Sequence, residues 1–174
     1  MTARTAWAAG SLPGTTTGAY TAAFLSADLA SLANLSSVMS TTAFDNTVAT
    51  IGTPDQFMDI SFVGAIVSAS TIASGAGLGF WLFCLQEDGS TYGSGRMTSG
   101  TQVASTTYAP LSNPLGGITI EPGTTISSIA GCALMLPIPP RAFKLVIQNQ
   151  TGFAFASGTA CACSISTYRQ NTNA

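Results

Sequence analysis

The chain has 174 residues, 46% of them hydrophobic, with five Lys or Arg against seven Asp or Glu, a net charge of −2 and no histidine. That length predicts one domain, and the missing imidazole excludes Ser-His-Asp and Cys-His nucleophiles, His-ligated zinc and a histidine pH switch. Five cations are too few to neutralise a nucleic-acid backbone, and a charged fraction of 7% suits a surface that rests against other protein better than one that catalyses.

Residues 1–24 read as an extended arm, because Gly10, Pro13, Gly14 and Gly18 interrupt a run of Thr and Ala that keeps no period of 2 or 3.6. Trp7 and Tyr20 are large aromatics with little nearby to bury them. They are expected to pack on their own domain or, with Arg4, to touch a neighbouring subunit. Leu25, Leu29, Leu32 and Leu35 recur at spacings that allow one or two turns of amphipathic helix; the competing reading is a loop leading to a strand over residues 38–44.

From Phe57 the pattern turns to β. Met58, Ile60, Phe62, Gly64 and Ile66 share one face, and Asp59, Ser61, Val63 and Ala65 the other. Residues 78–85 are apolar on both faces, as a strand in the middle of a layered structure requires. Glu87-Asp88-Gly89-Ser90 is a tight turn, followed by a Gly/Ser/Thr-rich loop with a weak strand near residues 101–108. Short strands follow around residues 118–120, 126–136 and 143–148, separated by Pro122-Gly123, Pro139-Pro140 and Asn149-Gln150-Thr151-Gly152. Cys161, Cys163 and Ile165 form a last alternating strand. Seven to nine antiparallel strands over residues 25–168, with a short tail at 169–174, predict a single all-β sandwich or barrel.

The candidate chemical groups point away from catalysis. Asp55 and Asp59, and Glu87 and Asp88, read as solvated turn residues, the first pair too far apart in an extended strand for a glycosidase acid/base couple. No window spaces oxygens as a calcium loop does, and residues 75–79 lack the Lys and the helix of a phosphate cradle. Neither a metal nor a cofactor is expected. Cys84, Cys132, Cys161 and Cys163 read as buried thiols, and Arg141 with Lys144 as a sandwich rim. The apolar runs at 78–85 and 130–138 fall short of the roughly 20 residues of a bilayer helix. No secretory apolar run follows Arg4, so a cytosolic product is expected.

Three blocks carry a resemblance: 28–46 (DLASLANLSSVMSTTAFDN), 82–95 (LFCLQEDGSTYGSG) and 138–167 (IPPRAFKLVIQNQTGFAFASGTACACSIST). They resemble small virion structural proteins of tailed bacteriophages, of the capsid decoration or cement type. In that family a "SLAN…DN" segment precedes the first sandwich strands, a strand runs into a "DG-T/S-x-Y" hairpin, and a "PPGxFKLxxxNxTG" stretch lies near the end. Here Arg141-Ala142 replaces the Gly-acidic pair, and the arm has no counterpart. The resemblance implies a jelly-roll-like β-sandwich, non-enzymatic, binding the major capsid protein on the outer face of the head and self-associating as a dimer or trimer. It involves neither nucleic acid nor membrane. The alternative is a host-recognition or carbohydrate-binding sandwich on a fibre or tail.

Overall fold

The structure, a computed structural model, describes residues 4–9, 20–47, 53–93, 95–104, 114–123, 125–158 and 161–173. Its elements are β1 (Arg4–Ala9), β2 (Thr21–Ala22), α1 (Ser26–Leu29), β3 (Ser36–Met39), β4 (Phe44–Asp45), β5 (Phe57–Thr71), β6 (Gly77–Cys84), β7 (Gln102–Ala104), β8 (Gly116–Thr119), β9 (Thr125–Pro137), β10 (Ala142–Gln150) and β11 (Ala162–Asn173). The strands form two antiparallel sheets. The first runs β1-β11-β5-β9, with β2 also on β11; the second runs β7-β3-β10-β6-β8, with β4 also on β10. An all-β sandwich is what the alternation in the sequence predicts, and it is what the chain builds.

The connectivity follows one rule. Count β1 with β2 and β3 with β4 as single strands, and set β7 aside. The eight that remain pair first with last, second with seventh, third with sixth and fourth with fifth. The chain is thus one long antiparallel hairpin, rolled so that β11 meets β5 in one layer and β10 meets β6 in the other.

Alternation places the core between the layers. Met58, Ile60 and Phe62 of β5, Phe80 of β6, Phe143, Leu145 and Ile147 of β10, and Cys163 and Ile165 of β11 are all at most 1% exposed and form one cluster. The Phe62 and Phe155 rings meet at 5.3 Å between centroids, and those of Phe44 and Phe143 at 5.5 Å. β6 is buried on both faces because a second cluster covers its outer side: Trp81 and Phe83 with Met39, Met97 and Val146, flanked by Tyr92 and Val103. The Gly/Ser/Thr-rich segment after the 87–90 turn is therefore a lid on the second sheet. Its strand is short, Gln102–Ala104, and pairs with β3; residues 105–113 lie outside the described residues.

Several expectations need adjusting. The segment read as an arm supplies β1 and β2, both hydrogen-bonded along β11, and the tail at 169–174 is strand as far as Asn173. Of the one or two helical turns that the leucine repeat allows, the chain forms one, as expected; Ala30 is already extended (ψ 127°) and Ser31 takes positive φ (57°), which ends the helix. Leu29 and Leu32 are buried while Leu25 and Leu35 are exposed. The strand expected over 38–44 is split into β3 and β4.

Candidate functional site

The sequence blocks behind the resemblance form two hydrogen-bonded knots. In the first, the Asn149 side-chain amide donates to the carbonyls of Leu32 (2.8 Å) and Phe153 (2.7 Å), and its Oδ1 accepts from the Thr151 N–H (3.0 Å) and hydroxyl (2.7 Å). Asn34 Oδ1 accepts the Gly152 N–H at 2.9 Å, so the SLAN and NQTG blocks hold each other. In the second, the Asn46 amide donates to the carbonyls of Asp55 (2.9 Å) and Pro139 (2.8 Å) and its Oδ1 accepts the Asp55 N–H (2.8 Å). These are structural fasteners. Buried backbone groups away from a ladder need such partners.

The carboxylates are likewise engaged in structure. Asp55 corrects the reading of a solvated turn residue: it is 1% exposed, accepts from the Thr167 hydroxyl at 2.8 Å and lies 3.8 Å from the Arg169 guanidinium. Asp59 accepts the Met135 N–H at 2.8 Å and the Tyr168 hydroxyl at 2.9 Å. Asp88 does cap its turn. Its Oδ1 takes the N–H groups of Ser90 and Thr91, and the Thr91 side chain first, then these two bonds, lower the pKa of its carboxyl to about 2. Cys161 and Cys163 are buried as expected, and burial raises both thiols, whereas Cys84 is half-buried and Cys132 exposed. Among the described residues no three of His, Cys, Asp or Glu converge as a metal site would require.

Arg141 and Lys144 diverge. Arg141 borders a shallow hollow with Leu85, Gln86 and Glu87. The Lys144 ammonium donates to Ser99 Oγ and sits 5.0 Å from the centre of the Tyr92 ring, beside a cavity of about 330 Å³ lined by Ser90, Thr91, Thr98 and Ser99.

The feature that stands apart is the outer face of the first sheet. The second sheet has a lid; the described residues provide none here. Across β11, β5 and β9 the register sets Ala162, Val63 and Ala130 in one row and Ser164, Ser61 and Cys132 in the next, with Ala22 of β2 beside Ser164. Val63 is 55% exposed, Val67 67%, Leu134 61% and Met135 54%. A β-bulge helps produce this: Met58 opposes Leu136 and Ile60 opposes Ala133, leaving Leu134 and Met135 both facing Asp59. Met135 takes positive φ (55°) and gives its N–H to Asp59.

Of the residues expected to meet a neighbour, Tyr20 lies at the margin of this face, 46% exposed. Its phenol is raised by burial first, then by the nearby Asp59 and Cys132. Arg4 and Trp7 sit in β1 opposite Asn173 and Gln170, at the β11 edge of the same sheet. Sequence reading found the alternation that creates this face but not its bareness, because nothing local says that the lid closes over the other sheet. No family model, no curated protein and no solved structure matches this chain.

Proposed function

We propose that this chain is a structural virion protein of a tailed bacteriophage, a jelly-roll sandwich that binds the outer surface of the capsid and cements neighbouring major capsid subunits. The observation that carries the reading is the bare outer face of the first sheet, an apolar and hydroxyl surface with its central carboxylate already satisfied internally. Covering such a face removes Val and Leu from water, and its Asp59 carboxylate keeps two internal hydrogen bonds on Oδ1, so docking carries a smaller desolvation cost than a highly charged surface would. The rolled-hairpin order supports the jelly-roll assignment, an architecture shared by viral capsid and lectin domains. The block resemblance supplies the rest. Self-association as a dimer or trimer, a place on the capsid surface and synthesis in the host cytoplasm belong to the same proposal, with no enzymatic step.

The test is stoichiometry in purified particles, by quantitative mass spectrometry against the major capsid protein. Hundreds of copies per particle is the expected result; absence from particles overturns the reading. A second reading, a saccharide-binding domain on a fibre or tail, is favoured by one observation, the hydroxyl-lined cavity beside Lys144. Trp81, inside β6 and 5% exposed, offers no ring for a saccharide to stack on. Selective binding on a glycan array, together with a handful of copies per particle, would favour that second role.

A further inference from the structure

We infer that two copies of this chain pair through β9, the edge strand of each first sheet running antiparallel to its twin across a two-fold axis to make one continuous sheet. The starting point is a comparison of edges. A sheet edge presents unpaired N–H and C=O groups, and proteins blunt it with very short strands, charges, proline or a covering segment. Three of the four edges here are short: β7 has 3 residues, β8 has 4, and β1 and β2 have 6 and 2. The fourth is not. β9 runs for 13 residues, TISSIAGCALMLP, with no charged side chain and its one proline at the last position. Among the described residues no strand pairs with its far side. Its bulge lies toward one end, leaving 125–133 regular apart from the shift opposite residues 65–70.

The strand's composition selects the occupant. In a two-fold contact every group meets its own kind near the axis, so any charge on the strand would face a like charge. β9 has none. An axis at its midpoint, Gly131, sets Ile129 opposite Ala133 of the second copy on the core side and Ala130 opposite Cys132 on the outer side. Opposed residues in an antiparallel pair share a face, so the buried row of each copy continues into the buried row of the other. Gly131 itself is packed on the core side by Ile118 of β8, and Ala130 and Cys132 beside it add little bulk on the outer side. Strand addition of this kind draws affinity from main-chain hydrogen bonds. It also sets the two bare outer faces side by side as one larger surface. The pairing deepens the self-association part of the proposal above but does not depend on a capsid.

Sedimentation of the full chain in reducing buffer, across concentrations from about 1 to several hundred µM, tests it. The expected result is a monomer–dimer equilibrium that Ala130→Lys weakens at least tenfold, because it brings two ammoniums together near the axis. Cys132→Lys, exposed and next to the axis on the other side of Gly131, serves if the first variant fails to fold. Val67→Lys, on the outer face of β5, should leave the equilibrium unchanged. A short bis-maleimide should join two copies through Cys132, whose twin lies about 7–8 Å away on the diagonal, and Cys132→Ser should abolish the product. A chain that stays monomeric throughout, a trimer, or a dimer broken by Val67→Lys but not by the β9 variants each overturns the inference. Any of these results leaves the capsid stoichiometry experiment to stand or fall by itself.

Discussion

Asn149 shows how much of this molecule hangs on single uncharged polar groups. Its one side chain satisfies two carbonyls and receives two donors from Thr151. Asn149→Ala strands these buried partners, and a loss of about 2–4 kcal/mol is expected, read as a lower denaturant midpoint at constant m. Tyr168 gives a pH signature. Burial, then its bond to Asp59, pushes the phenol from 10.0 to about 12. Below pH 10 the hydroxyl is protonated in both folded and unfolded chains and its contribution is complete. Between about 10 and 12 the unfolded chain ionises first, so stability falls as pH rises. Tyr168→Phe should show a flatter decline of melting temperature between pH 9 and 12. A variant that tracks the unmodified protein would assign the alkaline loss to other groups.

At the scale of elements, the close approach of β6 to β8 depends on glycine. A Cβ at Gly117 would stand 2.6 Å from the Leu78 carbonyl oxygen, and one at Gly77 would strike the Ile118 carbonyl oxygen. Because the obstacle is backbone, Gly117→Ala is expected to cost about 1–3 kcal/mol, visible in thermal melts. The long strands were legible in the sequence for a simple reason. Met58 to Ile66 bury one parity and residues 78–85 bury both, so alternation or its absence encoded their place; in β10 Phe143, Leu145 and Ile147 face the core while Val146 is buried on the other side under the lid. The helical turn, the split of β3 from β4 and the pairing of β1 were less legible. Ser31 and Leu35 take positive φ without being glycine. Arg4–Ala9 owes its strand state to β11, at the far end of the sequence, with Arg4 opposite Asn173 and Ala9 opposite Tyr168, and no local pattern records such a partner. Asp55 misleads for the same reason. Beside a proline it resembles a turn residue, yet Thr167 and Asn46 reach it from distant segments. The candidate face was half legible: its alternating strands were, its lack of a lid was not.

At the scale of the whole molecule, the proposed function rests on the asymmetry between a sheet that carries a lid and one over which the described residues place none. Val63→Lys, in the middle of the bare face, should leave stability within about 0.5 kcal/mol, as surface changes usually do. It should lower binding to undecorated capsids at least tenfold, measured by co-sedimentation; unchanged binding would move the docking surface elsewhere. Removing residues 1–9 is a different experiment from trimming a loose arm. It strips β1 from β11 and opens the edge of the first sheet, so a lower melting temperature and concentration-dependent aggregation are expected by light scattering.

The nested pairing of first strand with last also bears on how the chain comes to be folded. β11 holds the middle of the first sheet, between β1 and β5, and it is synthesised after every other strand. A nascent chain therefore carries β1 and β2 with no strand to pair with, and β5 with β9 on one side only, until β11 is translated. Closure across such sequence distances is slow, on the order of milliseconds to seconds. Ribosome-bound intermediates would need sheltering during that interval, and yield in a heterologous host should rise with chaperone supply or lower growth temperature.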